Sequence, residues 1–161
     1  MILDYRKLEG LTGHEAGQML LMQMYRQETG AELPEICRTD RGKPYFPGKK
    51  WHFSVSHTKS HAFCALSRQN VAVDAEELDR QVNPKLAEKI LSPGEMVQYQ
   101  AALDKNKALL TFWVLKEAAA KLSGEGLRGY PCHTNFSLSD PRVREIEHCL
   151  VAVLEGESDA V

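Results

Sequence analysis

Two carboxylates separated by a single residue are the feature of this sequence that most suggests chemistry. Asp74 and Glu76 end the apolar run of residues 71–76 (VAVDAE), whose composition is typical of a β-strand. Because side chains alternate across a strand, both carboxylates should point to one face and the apolar side chains to the other. Such oxygen pairs suit Mg²⁺, which takes few protein ligands and completes its shell with water and substrate phosphates. The same pattern also arises where a strand reaches solvent and turns polar.

A glutamate and a lysine on the long helical segment 105–122 form a second candidate pair. At about 100° per residue, Glu117 and Lys121 fall on the apolar face that carries Trp113, whereas Lys116 falls on the polar side. Isolated charges on an apolar face are costly to bury, so these two side chains should be paired with other groups or used by a site. The alternative is an ordinary surface ion pair between residues four apart.

Basic groups that could hold phosphates lie earlier in the chain. Arg38, Arg41 and Lys43 surround Gly42, which lets the backbone approach a ligand closely. His57 stands among hydroxyl side chains where a predicted strand ends, so it could contact an anion. Each feature also has a plain interpretation, since a basic turn is often solvated surface and a lone histidine is often a hydrogen-bonded core residue.

The elements that must position these groups are those of an α+β protein. A strand hairpin is predicted before residue 70, and the basic segment 38–48 is predicted to be an extended loop. In residues 92–95 (SPGE), Glu95 closes a capping box; an approach to the metal through water is the less favoured alternative. The predicted strands cover residues 2–5, 51–56, 61–66, 71–76, 134–138 and 145–154, and the predicted helices cover 13–27, 84–91 and 105–122.

Bulk properties limit the possible classes of function. The 161 residues, 43% hydrophobic and 26% charged, are enough for one domain with a real core, and we expect two α+β halves, about 1–70 and 71–161. A net charge of −2 gives no reason to expect binding of nucleic acid. No membrane span or signal peptide is expected, so the default location is cytoplasmic. The cysteines lack zinc-knuckle spacing and are interpreted as reduced and structural: Cys37, Cys64, Cys132 and Cys149.

Four motifs in order resemble one family. They are residues 42–44 (GKP), 53–58 (FSVSHT), 73–76 (VDAE) and 113–127 (WVLKEAAAKLSGEGL). Together they resemble the 4′-phosphopantetheinyl transferase superfamily, of the surfactin-synthetase-activating (Sfp) type. The resemblance implies a pseudo-dimeric fold of two similar α+β halves, with coenzyme A bound in the cleft between them.

The resemblance also implies a role for each motif residue. The metal ligands for Mg²⁺ would be Asp74, Glu76 and Glu117. The residues that contact coenzyme A would be Lys121 at the phosphates, Ser56 and His57 in the Ser-His motif near the 3′-phosphate, and Arg38 and Lys43 near the nucleotide. Glu117 and Lys121 would take part in catalysis.

The implied reaction moves the 4′-phosphopantetheine group from coenzyme A to a serine of an acyl or peptidyl carrier protein. The group that accepts the serine proton stays open among a metal-bound water, Glu117 and Glu76. Two rival functions use the same residues: a Mg²⁺-dependent nucleotide pyrophosphate hydrolase and a non-catalytic module that binds carrier protein or coenzyme A. Because both halves lie in one chain, a monomer is expected.

Overall fold

Apolar strands and two amphipathic helices build an α+β fold with antiparallel sheets. The computed structural model describes residues 1–48, 50–124 and 134–156. The end of the last motif, residues 125–127, and Cys132 lie outside the described residues. The strands are β1 (Ile2–Lys7), β2 (Cys37–Arg38), β3 (Pro44–Tyr45), β4 (His52–His57), β5 (His61–Ser67), β6 (Val71–Glu77), β7 (Val143–Ile146) and β8 (Cys149–Glu155). The helices are α1 (Gly13–Thr29), α2 (Leu86–Ile90), α3 (Pro93–Ala101) and α4 (Lys105–Ser123).

Two three-stranded antiparallel sheets have the same strand order. The first is β1-β5-β4 and the second is β6-β8-β7. In each sheet, the strand that comes last in the chain, β5 or β8, lies in the centre. The edge strands β4 and β6 are joined by serine hydroxyls. Ser54 Oγ accepts a hydrogen bond from the amide of Val73 at 3.0 Å, and Ser56 Oγ accepts one from the amide of Ala75 at 3.2 Å.

The two sheets pack face to face and each carries a helix on its outer face. The side chains between the sheets come from alternate positions of β5, β6 and β8, including Phe63, Val73 and Val151. The other face of the first sheet packs against α1, and the other face of the second packs against α4. This layering places the α4 face that carries Glu117 and Lys121 against β6.

Local sequence signals set the helix ends much as predicted. A capping box of Thr12 and Glu15 starts α1, and Gly30 ends it with a φ of 70°. The predicted box of Ser92 and Glu95 starts α3. The predicted helix at residues 84–91 is shorter, with α2 covering only Leu86–Ile90. None of the helices that the structure describes is long and apolar enough to cross a membrane.

Three sequence-based predictions of local structure were wrong. Residues 134–138 form no strand; their amides are held by side chains of α3, with Phe136 N 2.8 Å from Glu95 Oε2. The predicted strand 145–154 is the hairpin β7–β8, because Glu147 and His148 adopt φ values of 49° and 64° and reverse the chain. The basic segment predicted as a loop contains the hairpin β2–β3.

The prediction for Lys116 was also wrong, because it is buried and not on a polar face. Its side chain is only 1% exposed, and its ammonium lies 2.8 Å from Glu95 Oε1. The face of α4 opposite Lys121 is covered by α3 and the following segment, and Lys116 also donates to the carbonyl of Thr134 at 3.3 Å. Glu95 therefore combines its capping role with a buried ion pair.

Candidate functional site

Strand β6 directs the predicted carboxylates toward α4. Ala72, two positions before Asp74, packs in the cluster that contains α4, whereas Val73 and Ala75 face the other sheet. This alternation confirms that Asp74 and Glu76 share one face of the strand. Asp74 is 8% exposed, so its carboxylate is largely withdrawn from water.

Helix α4 brings Lys121 to this carboxylate. The Lys121 ammonium donates to Asp74 Oδ1 at 3.1 Å and to the carbonyl of Val73 at 2.9 Å. Its acidic partner is therefore 47 residues away in the chain and not the glutamate one turn earlier on the same helix. This contact joins α4 to β6. It also places a fixed positive charge beside Asp74, Glu76 and Glu117, which we call the acidic group.

Glu76 is held by different partners. Its Oε1 accepts a hydrogen bond from Trp113 Nε1 at 3.2 Å, and it forms an ion pair with Arg80. The Arg80 guanidinium also lies 5.9 Å from the centre of the Trp113 ring. Sequence analysis assigned neither residue to the site, although Arg80 is a cation four residues after Glu76.

Burial, with a smaller effect of neighbouring carboxylates, raises the pKa values of Asp74 and Glu117. Burial raises the pKa of Asp74 to about 6, against the opposing effect of Lys121. Burial, followed by repulsion from Asp74, raises the pKa of Glu117 to about 7, and the charge of Glu76 adds to the effect. Over the described residues, however, these three carboxylates do not bring one oxygen each to within 4.8 Å of the others. Asp74 and Glu76 instead have separate cationic partners, Lys121 and Arg80.

The donor set fits a hard divalent cation. Asp74 Oδ2 is buried and has no hydrogen-bond partner within the described ranges, although buried carboxylate oxygens normally have one. Carboxylate oxygens are the protein ligands that Mg²⁺ prefers, and a bound cation would favour the charged forms of Asp74 and Glu117, which burial disfavours. Full coordination by all three residues requires Glu76 to turn away from Arg80.

A cavity of about 730 Å³ borders the acidic group. Its walls come from α1, the β2–β3 hairpin, β4, the start of β6 and α4, so both three-stranded sheets and their helices contribute. The predicted residues that line it are Arg38, Arg41, Lys43, His57, Glu117 and Lys121. The excess of cationic groups over carboxylates makes the cavity suitable for an anionic ligand.

The structure does not bring every predicted residue to this cavity. Ser56 is buried and its hydroxyl accepts the Ala75 amide, so its observed contact joins β4 to β6. Asp74 lies behind Lys121, and Glu76 lines a neighbouring cleft with Arg80.

Lys43 anchors the basic hairpin to the end of α4. Its ammonium donates to Asn70 Oδ1 and to the carbonyl of Leu122, both at 3.0 Å. Arg38 donates through Nη1 to the carbonyl of Gly42 at 2.9 Å, and Gly42 has a φ of 87°. These contacts fix the hairpin at the cavity wall. The Lys43 ammonium therefore makes structural hydrogen bonds as well as lining the cavity.

Helix α1 approaches His57 unusually closely. A Cβ atom added to Gly13 would lie 2.2 Å from His57 Cγ, so glycine is required for this contact. Sequence reasoning did not assign His14 and Gln18 to the site, yet both line the cavity. Their position in the first turns after a helix cap, beside this glycine, was the signal that could have identified them.

The fold and the site together define an α+β protein with a basic cavity beside a group of carboxylates. The sequence model of the 4′-phosphopantetheinyl transferase superfamily matches residues 70–155, which include β6, α4 and the acidic group. The chain belongs to this superfamily, as its motifs predicted.

Two curated relatives are named as 4′-phosphopantetheinyl transferases. The chain is 28% identical over 92 residues to the 4′-phosphopantetheinyl transferase gsp of Aneurinibacillus migulanus, covering 56% of this chain and 38% of that protein. It is 29% identical over 117 residues to a Haemophilus influenzae protein provisionally named a 4′-phosphopantetheinyl transferase, covering 68% of this chain and 49% of that protein. The matched regions therefore span less than half the length of these relatives.

Proposed function

We propose that this protein transfers the 4′-phosphopantetheine group of coenzyme A to a serine of an acyl or peptidyl carrier protein, in a Mg²⁺-dependent reaction that releases 3′,5′-ADP. The observation that carries the proposal is the basic cavity whose wall includes Glu117 and Lys121, with Asp74 bonded to that lysine. Membership of the superfamily supports the same reaction.

Coenzyme A suits the charge of the cavity. The nucleotide and its phosphates carry several negative charges, and the cavity offers Arg38, Arg41, Lys43 and His57 on one side and Lys121 on the other. Guanidinium and ammonium groups hold phosphates by charge-assisted hydrogen bonds. The pyrophosphate would lie toward Lys121, because that end of the cavity adjoins the acidic group.

Mg²⁺ would be held by Asp74, Glu76 and Glu117. When bound, it neutralises the charge of the pyrophosphate and of the departing phosphate. Asp74 supplies the buried oxygen that has no partner among the residues described, and Glu117 reaches the cavity wall. Glu76 would become the third ligand once it is released from Arg80.

The transfer is a substitution at the phosphorus that carries the pantetheine arm. The serine Oγ forms a new bond to this phosphorus as the bond to the oxygen of 3′,5′-ADP breaks. We assign Glu117 as the acceptor of the serine proton, because it lines the cavity, whereas Glu76 is bonded to Trp113 and Arg80. The Lys121 ammonium offsets charge on the leaving group, and most of the rate gain comes from positioning and charge neutralisation.

The architecture we propose is a single domain of residues 1–161 built from two similar halves, about 1–70 and 71–161. The identical strand order of the two sheets supports this division. Because the cavity takes residues from α1 and β4 on one side and from α4 on the other, one chain supplies the whole cleft. We therefore propose a monomer.

Intact-mass measurement of a carrier protein tests the proposed function. The protein is incubated with coenzyme A and Mg²⁺, with and without a panel of apo acyl and peptidyl carrier proteins. Transfer predicts a gain of the phosphopantetheine mass on a carrier and release of 3′,5′-ADP only in its presence. Cleavage of coenzyme A without any carrier would identify a hydrolase, and binding without turnover would identify a non-catalytic module.

A further inference from the structure

A second cluster of metal-binding side chains lies on the opposite face of β6 from the acidic group. Glu77, at the end of the strand, follows Val73 and Ala75 on the face that packs against the first sheet. Asp74 and Glu76 face α4 instead. Since adjacent residues of a strand point to opposite faces, Glu76 and Glu77 point away from each other, although both border the same cleft at the end of β6.

The cluster combines three kinds of ligand from three strands. His61 begins β5, Glu77 ends β6 and Cys149 begins β8. One ring nitrogen of His61, one carboxylate oxygen of Glu77 and the sulfur of Cys149 all lie within 4.8 Å of one another. Imidazole, carboxylate and thiolate are the ligand types that zinc takes in proteins.

The two ring nitrogens of His61 differ in their contacts. His61 is only 6% exposed, and its Nδ1 lies 2.7 Å from the hydroxyl of Ser60. Its Nε2 is buried and has no hydrogen-bond partner in the part of the chain that the structure describes. A metal-bound histidine typically keeps one ring nitrogen in a hydrogen bond, which fixes the ring, and uses the other for the metal.

Two hydroxyls surround the three candidate ligands. The Ser60 hydroxyl donates to Glu77 and contacts His61, and Thr58 Oγ1 lies 3.7 Å from Cys149 Sγ. Outer groups of this kind orient metal ligands and tune their affinity. Thr58 and Glu77 also line the cleft described above for Glu76 and Arg80, which has a volume of about 660 Å³ and gives an ion a route from solvent.

We propose that His61, Glu77 and Cys149 form a zinc site that joins the two sheets and is separate from the magnesium chemistry. The thiol and imidazole favour Zn²⁺ over Mg²⁺, which prefers oxygen ligands throughout. Tetrahedral ligands of zinc stand about 3.5 Å apart, so small side-chain movements bring the three groups into position. Binding releases the Cys149 thiol proton to solvent, and water completes the fourth position.

Cobalt is the direct probe of this site, because a thiolate bound to Co²⁺ gives a charge-transfer band in the near ultraviolet. Chelator-treated protein is titrated with Co²⁺, and we expect one equivalent to produce the band and Zn²⁺ to abolish it. Cys149→Ala and His61→Ala should lose the band, and Glu77→Gln should weaken binding by more than about 10-fold. A large excess of Mg²⁺ should leave the band unchanged.

Matched variants make the test specific. Cys64→Ala changes a buried cysteine that packs with Phe53 and Leu66 on the other face of β5, so it should keep the band. Cys37→Ala, Cys132→Ala and Asp74→Asn should keep it as well. Absence of the band in the wild-type protein, or its persistence in Cys149→Ala, would overturn the proposal.

Thermal unfolding supplies a second measurement that does not depend on the alanine variants folding normally. Zn²⁺ should raise the Tm of the wild-type protein and should raise that of Glu77→Gln less at equal concentration. An equal rise in both proteins would overturn the assignment of Glu77. Neither measurement uses transfer activity. A result against the zinc site would therefore leave the proposed function intact, and a failure of the transfer assay would leave the zinc site intact.

Discussion

The Lys121 ammonium lies 3.1 Å from Asp74 Oδ1, and this ion pair joins helix α4 to strand β6. The other carboxylate oxygen, Oδ2, is buried without a hydrogen-bond partner among the described residues. Lys121 thus balances a carboxylate that is otherwise costly to bury, and its side chain reaches the cavity wall at the same time. One lysine serves both the packing of the two elements and the proposed chemistry.

Replacement of Lys121 tests whether it acts in transfer or only in packing. Lys121→Ala should lower kcat/KM by about 100-fold, because a fixed charge at the pyrophosphate is lost. Lys107→Ala is the control, since Lys107 pairs with Glu145 at an exposed surface. Steady-state transfer assays check this prediction; an effect limited to thermal stability would contradict the proposed role.

The unliganded acidic group should make stability depend on pH. Because folding raises the pKa values of Asp74 and Glu117 to about 6 and about 7, their neutral forms are favoured in the folded protein. Their contribution to stability is full below about pH 4 and falls as the pH rises toward 7. In the presence of a chelator, Glu117→Gln should raise Tm at pH 8 by roughly 2–6 °C and change it little at pH 4. A lower Tm at pH 8 would contradict this.

Gly13 should matter for binding more than for stability. A Cβ at this position would lie 2.2 Å from His57 Cγ, and the exposed His57 ring can move away. Gly13→Ala should therefore raise the KM for coenzyme A several-fold with little loss of Tm. Gly17→Ala is the comparison, because its Cβ would lie 2.5 Å from Val55 Cγ1 and its main effect should be on stability. An unchanged KM in Gly13→Ala would count against His57 as a phosphate contact.

The buried ion pair of Lys116 and Glu95 should be a strong determinant of stability. Lys116→Met leaves the Glu95 carboxylate, 0% exposed, without its cation, although the capping bonds remain. We expect a loss of about 3–5 kcal/mol in the free energy of unfolding, measured with denaturant. Lys107→Met, which breaks an exposed pair, should cost less than about 1 kcal/mol. Equal effects of the two substitutions would contradict this interpretation.

Local patterns predicted the elements better than they predicted the contacts between them. The alternation in residues 71–76 correctly placed Asp74 and Glu76 on one face, because a strand allows no other arrangement. The capping box of Ser92 and Glu95 likewise located the start of α3. Lys116 was assigned to a polar face because the helical period says nothing about which neighbour covers each side.

Long-range contacts explain the remaining differences. Nothing in the spacing of His61, Glu77 and Cys149 indicates that three strands bring them together. The use of Ser56 to join β4 to β6 depends equally on how the two sheets meet. The hairpin at Glu147 was missed because Glu147 and His148 are not the Asn-Gly, Asp-Gly or Gly-Gly pair that commonly marks a two-residue hairpin turn.

The most direct test of the proposed function is the intact mass of an apo carrier protein after incubation with coenzyme A, Mg²⁺ and either the wild-type protein or Asp74→Ala. The wild-type protein should add the phosphopantetheine mass in a Mg²⁺-dependent manner. Asp74→Ala should remain folded by circular dichroism and add none. Mg²⁺-dependent modification at a near-normal rate by Asp74→Ala would contradict the role of this carboxylate at the centre of the site.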